Sequence, residues 1–160
     1  MGYIEKGKQE GAKLLCGGNR MNRNGYFLET TLFTDVKDNM TIAKEEIFGP
    51  VMSVMKFKTI DEVIKRANDT DYGLTAGICT QSIETALEIS SALRVGQVFV
   101  NCYAQTCATT PFGGYKNSGI GRELGHTGIK PYLESKTVII KKPDSSLPWF
   151  ITILISLSIK

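Results

Sequence analysis

The chain has 160 residues, 42% of them apolar, with 19 basic and 16 acidic side chains and a formal net charge of +3. That apolar content is enough for one ordinary core and argues against a disordered segment. The small positive excess has its signs interspersed along the chain, with no Arg/Lys stripe or recognition motif, so no nucleic-acid partner is expected.

Met1-Gly2-Tyr3-Ile4-Glu5-Lys6 has no apolar run behind its charge, so no secretory leader is expected. Lys6 stands where a myristoylation signal requires Ser or Thr. The first 25 residues combine helix-compatible Lys/Glu-rich sequence with turns at Gly17-Gly18-Asn19 and Asn24-Gly25, after which Tyr26-Phe27-Leu28 opens an extended segment. Val51 to Phe57 reads as a buried strand. Thr59-Ile60-Asp61-Glu62 follows as a capping box, in which the Thr59 hydroxyl accepts from the Glu62 amide and the Glu62 carboxylate answers Thr59. A helix from Ile60 to about Asn68 follows, with Ile60, Val63, Ile64 and Ala67 on one face.

After the Asp71-Tyr72-Gly73 turn, Thr75 to Thr80 reads as a strand. Ile83, Ala86, Leu87, Ser90 and Leu93 then recur with helical spacing, and Val98-Phe99-Val100 is the next strand. Strands alternating with helices predict an α/β fold with parallel pairing. Arg122 to Lys130 is a candidate short helix weakened by Gly125 and Gly128 and ended by Pro131. Lys136 to Lys142 holds the β-branched run Thr137-Val138-Ile139-Ile140, whose basic flanks suit an edge strand; left uncovered, that edge invites pairing with another chain. Leu147 to Ile159 carries no charge but falls short of the roughly 20 residues a spanning helix needs. It is open to three readings, a surface anchor, an extra strand or an accidental terminus, and membrane association is not the expected one.

The four cysteines, Cys16, Cys79, Cys102 and Cys107, form no C-x-x-C pair and no set with the single histidine, His126. A reduced protein without a metal site is expected. Cys102 and Cys107 have no neighbouring base in sequence, so each reads as a buried small apolar residue rather than a nucleophile. His126 reads as a surface or hydrogen-bonded residue, and no catalytic residue is assigned.

Two local patterns stand out, Lys44-Glu45-Glu46-Ile47-Phe48-Gly49-Pro50 and Pro111-Phe112-Gly113-Gly114-Tyr115-Lys116. Taken alone, the first is an acidic pair, an apolar anchor and a turn; adjacent carboxylates do not face each other, so paired acid/base chemistry is not indicated. The second sets an aromatic beside two glycines, where backbone can approach a ligand closely, although ordinary turn formation explains it as well. Gly119-Ile120-Gly121-Arg122-Glu123-Leu124-Gly125 fails as a dinucleotide fingerprint because no strand precedes it, and it lacks the Lys-Ser/Thr of a P-loop.

Together with Met40-Thr41-Ile42-Ala43 before the first pattern, Gly25-Tyr26-Phe27, Arg66-Ala67-Asn68, Val100-Asn101-Cys102-Tyr103 and Gly121-Arg122-Glu123-Leu124-Gly125, these stretches resemble the C-terminal portion of the NAD-dependent aldehyde dehydrogenases of the mitochondrial and cytosolic classes 1 and 2. The resemblance implies a partial catalytic domain over residues 1–131, an oligomerisation-type strand over 132–142 and a divergent apolar tail over 143–160. It implies oxidation of an aldehyde to a carboxylic acid with NAD in the full-length form, in the cytoplasm or mitochondrion. In that family the cysteine nucleophile, the glutamate base and the dinucleotide-binding domain lie upstream of the matched stretch, so residues 1–160 alone are expected neither to turn over nor to bind NAD. Glu46 resembles the glutamate that holds the nicotinamide ribose hydroxyls, Phe48 the phenylalanine at the nicotinamide end, and Phe112 an aromatic lining near the nicotinamide and substrate pocket, so all three are expected to bind the cofactor in the full-length form. Homo- or hetero-oligomerisation is expected through Thr137–Lys141. The alternative reading is a non-catalytic fragment that interacts with subunits or interferes with their assembly.

Overall fold

The computed structural model describes residues 1–140 and the backbone of Ile153–Ser158. It divides into two compact units, Met1–Thr70 with Leu87–Leu93 and Asp71–Ala86 with Arg94–Lys160.

In the first unit, helix α1 (Gly2–Gln9) leads into strands β1 (Lys13–Cys16) and β2 (Thr31–Thr34), the short helix α2 (Thr41–Lys44), strand β3 (Val51–Ser53) and helix α3 (Ile60–Asn68). The sheet order is β1-β2-β3, with β1 antiparallel to β2 across a bulge and β3 parallel to β2. Central β2 is buried at alternate positions, and Thr31 and Phe33 are fully covered. Phe33 packs with Ile4, Ala12, Val36, Met40 and Ile42, and Ile47 and Val51 close around this cluster. A buried hydroxyl needs partners, and Thr31 has two: its Oγ1 accepts from the Gly18 amide at 2.9 Å and donates to the Glu29 carbonyl at 3.0 Å.

Strand β3 stops at Ser53, shorter than the expected Val51 to Phe57, because Met55 to Phe57 have no partner strand among the described residues. The capping box at α3 is present with one change. The Glu62 amide donates to Thr59 Oγ1 at 3.2 Å, but the Glu62 carboxylate accepts from the Lys58 amide, one residue earlier than expected. Ile60, Val63 and Ile64 are half-buried while Ala67 is exposed. Arg66 ties α3 down through Nη2 to Asp38 at 2.7 Å and Nη1 to the Lys56 carbonyl at 2.7 Å.

The second unit contains β4 (Tyr72–Gly73), β5 (Thr75–Ile78), the first residues of α4 (Ile83–Ala92), β6 (Gln97–Val100), β7 (Tyr115–Lys116), α5 (Gly125–Gly128), a 3-10 turn at Lys130–Tyr132, β8 (Glu134–Ile139) and β9 (Ile153–Ser158). Strands β5 and β6 pair in parallel, with α4 in the connection between them, so the α/β alternation expected from the sequence is present. The Asn101 side chain clamps their ends, accepting from the Thr80 amide at 2.9 Å and donating to its carbonyl at 2.8 Å. The candidate helix at Arg122 to Lys130 shrinks to four residues, because Leu124 before it takes φ +59 and ψ 176, outside the helical region.

The expected terminal strand is β8. Val138, Ile139 and Ile140 are exposed as anticipated, but the edge is not uncovered: β8 pairs antiparallel with β9 from Glu134↔Ser158 to Ile139↔Ile153. Of the uncharged tail Leu147 to Ile159, Ile153–Ser158 form an extra strand, and the rest lies outside the described residues. Lys141, part of the expected association segment, lies outside the described residues, as do 142–152.

Replacing Thr31 by valine removes both hydroxyl bonds and strands the buried Gly18 amide, at a cost of about 1–3 kcal/mol. Urea unfolding is expected to show this loss for Thr31→Val and to show most of it restored in Thr31→Ser.

Candidate functional site

Backbone after α2 leaves the helical region at Glu45 (φ −99, ψ 147) and enters an irregular loop. Ile47 turns inward against the Ile4–Phe33–Ile42 cluster, and its neighbours Glu46 and Phe48 are turned outward. Phe48 is 92% exposed and holds φ +52, an unfavourable conformation for an aromatic residue. Among the described residues no hydrogen bond or ion pair engages the Glu46 carboxylate.

The supports of this loop are specific. Glu45 accepts from the Tyr3 hydroxyl at 3.0 Å, fixing the start of the loop to α1. Glu10 accepts from the Thr41 amide at 2.7 Å and the Thr41 hydroxyl at 2.6 Å, satisfying the first turn of α2. Those two bonds hold the Glu10 carboxyl below the usual carboxylate range. The far end is fixed where the Thr31 amide donates to the Pro50 carbonyl at 2.9 Å and β3 begins beside β2. A rigid loop thus presents a carboxylate and an aromatic ring, two residues apart, to solvent.

Phe112 belongs to the second unit. Its amide and carbonyl exchange hydrogen bonds with Glu123 at 2.8 and 2.7 Å, drawing the Pro111–Lys116 loop against the Gly121–Leu124 loop. Between them lies a cleft of about 630 Å³ bordered by Phe112, Leu74, Arg122, Leu124 and Tyr132. Glycines permit this closeness: a Cβ at Gly96 would lie 1.6 Å from the Gly113 carbonyl oxygen, and one at Gly114 would lie 2.5 Å from Ser118 Cβ. Arg122 was not legible as a site residue. Its Nη1 donates to the Gly114 carbonyl at 2.9 Å and the Gly121 carbonyl at 2.7 Å, and its guanidinium lies over the Tyr115 ring, so it braces the cleft. A single Arg among glycines gives no sequence signal for such a role.

The structure thus brings Glu46 and Phe48 together on one loop of the first unit and places Phe112 in a cleft of the second. Cys102 and Cys107 are exposed rather than buried, because both fall in the irregular stretch after β6. The Cys107 Sγ lies 3.0 Å from Thr109 Oγ1 and 3.6 Å from Thr110 Oγ1. Hydrogen bonding from Thr109 and then Thr110 lowers this thiol to about 7. His126 is exposed. Among the described residues no cluster of His, Cys, Asp and Glu is arranged to hold a metal ion, and no helix is long and apolar enough to cross a membrane.

Residues 1–138 match the pattern of the aldehyde dehydrogenase family. The chain is 57% identical over 146 residues to the mitochondrial aldehyde dehydrogenase of Mesocricetus auratus, covering 91% of this chain and 29% of that protein. Against aldehyde dehydrogenase 1A1 of Gallus gallus it is 59% identical over 143 residues, covering 89% of this chain and 28% of the other. Its fold is similar to that of the NAD+ complex of an aldehyde dehydrogenase from Bacillus cereus, with a TM-score of 0.81 and 44% identity over 99% of this chain and 28% of that one. The chain therefore spans under a third of the length of these relatives.

Because the folded Glu10 titrates below its unfolded range, its bonds to Thr41 contribute stability above the unfolded pKa, and this is lost as pH falls through the lowered value. Denaturant unfolding across the acid range is expected to show a smaller dependence on pH for Glu10→Gln than for the parent chain. For Cys107, in a background with the other three cysteines changed to serine, the iodoacetamide alkylation rate is expected to rise with a midpoint at about 7. Thr109→Ala is expected to move that midpoint upward.

Proposed function

Because this chain belongs to the aldehyde dehydrogenase family, we propose that it supplies the nicotinamide-ribose side of an NAD-dependent oxidation of an aldehyde to a carboxylic acid. The observation that carries this reading is the Glu46–Phe48 loop: an unengaged carboxylate and a 92% exposed ring at positive φ, held on a rigid support. Backbone strain beside an exposed aromatic is a feature proteins retain at ligand sites. The residues suit the group. A carboxylate has two oxygens to accept from two vicinal ribose hydroxyls, and a flat apolar ring orients a flat heterocycle.

NAD, when bound, accepts the hydride. What this chain contributes is placement: Glu46 fixes the ribose, Phe48 limits the ring's rotation, and Phe112 lines a cleft of mixed polar and apolar character in which its ring, Leu74 and Leu124 offer apolar surface to an aldehyde's carbon chain. None of the three forms the covalent bond to the aldehyde carbon, and among the described residues no thiol has a positioned base. We assign that step to a part of the longer relatives outside their match to this chain, and residues 1–160 alone to no turnover. Association of subunits through β8 and an address in the mitochondrion or cytoplasm belong to the same reading.

The test exchanges residues 1–138 into the matching stretch of a full-length relative. Glu46→Gln loses the charge on two acceptor bonds, about 1.5–3 kcal/mol, and is expected to lower kcat/KM for NAD roughly 10- to 150-fold. Retained kcat/KM in a folded Glu46→Gln chimera overturns the role. NADH production from aldehyde and NAD by residues 1–160 alone overturns the assignment of the covalent step elsewhere.

A further inference from the structure

We propose that β9 is an intramolecular cap that occupies one edge of β8 and keeps a strand of a second copy of this chain from pairing there; this rests on the reading of β8 as an association strand. The family match ends at residue 138, so β9 lies wholly outside it, yet its backbone runs in register along β8 from Glu134↔Ser158 to Ile139↔Ile153. Every residue of β8 is exposed, so the strand gains no cover from the rest of its unit. Val138 is 39%, Ile139 63% and Ile140 74% exposed, the kind of β-branched edge that recruits another strand unless it is covered or charged.

Glu134 and Lys136 are the charged residues within β8, which blunt the strand at two positions of six. Pairing with β9 along the full strand satisfies the backbone groups on that edge, those of alternate β8 residues. The competition is decided by tethering. A strand in the same chain acts at an effective concentration of order millimolar, about a thousandfold above a second copy at micromolar concentration. Pairing within the chain therefore wins unless the incoming strand brings further contacts of its own.

The test compares the 160-residue chain with one ending at Lys142 and with Ile155→Pro, which keeps full length but removes an amide from the middle of β9. Amide hydrogen exchange reads β8 directly, and light scattering reads mass across micromolar concentrations. In the full chain the β8 amides that face β9 are expected to be protected at every concentration, with the mass of a single chain. In both variants protection is expected to be lost when dilute and to return as the mass rises toward a dimer. A synthetic peptide of residues 149–160 is expected to reverse that rise in the truncated chain. Unchanged β8 protection in both variants shows that β9 does not pair there and overturns the cap. Lost protection without any rise in mass overturns it differently, by showing that β8 is not an association strand. A full chain that dimerises while the truncated chain does not makes β9 an adhesive rather than a cap, and also overturns the proposal.

Discussion

Packing of one side chain, Ile47, against the core around Phe33 anchors the loop that presents its neighbours to solvent. Glu46 before it and Phe48 after it, the latter turned at φ +52, are both exposed. Around that anchor the first unit is arranged as a sequence of dependencies. Phe33 and Thr31 need a central strand covered on one face, the β1-β2-β3 sheet provides it, and Glu10 and Glu45 tie the loop to α1 and α2. The positive φ of Phe48 costs of order 1 kcal/mol or more and persists because both flanks are fixed.

The second unit works through backbone proximity instead. Gly96, Gly113 and Gly114 bring chain against chain at distances no side chain allows, and the paired bonds between Phe112 and Glu123 join two loops into one wall. Arg122 then donates to two carbonyls that would otherwise compete for water, giving the glycine loops a fixed form despite their intrinsic freedom. The first unit thus combines apolar burial with side-chain hydrogen bonds to its loop, while the second relies on hydrogen bonding across glycines.

The parts legible in the sequence were those with local causes. The Thr59 cap, the helical spacing of Ile83 to Leu93 and the β-branched run of β8 each encode their element within a few residues, and each element formed. Strand ends were less legible because they depend on partners: β3 stops where β2 offers nothing further to pair with. The exposure of Cys107 and its acid shift depend on how the stretch after β6 folds over Thr109 and Thr110, which no spacing rule predicts. Glu46, Phe48 and Phe112 were singled out through resemblance, since composition alone made their segments ordinary loops. The structure adds a physical reason for the first two, an outward carboxylate and ring on an inward anchor.

That reason has a direct geometric consequence for a bound nucleotide. The most direct measurement is a crystal structure, with NAD bound, of the full-length chimera that carries residues 1–138. The account predicts both Glu46 carboxylate oxygens within hydrogen-bonding distance of the nicotinamide ribose hydroxyls and the Phe48 ring beside the nicotinamide. A bound dinucleotide whose ribose is held by other residues, with Glu46 and Phe48 still in solvent, would contradict it.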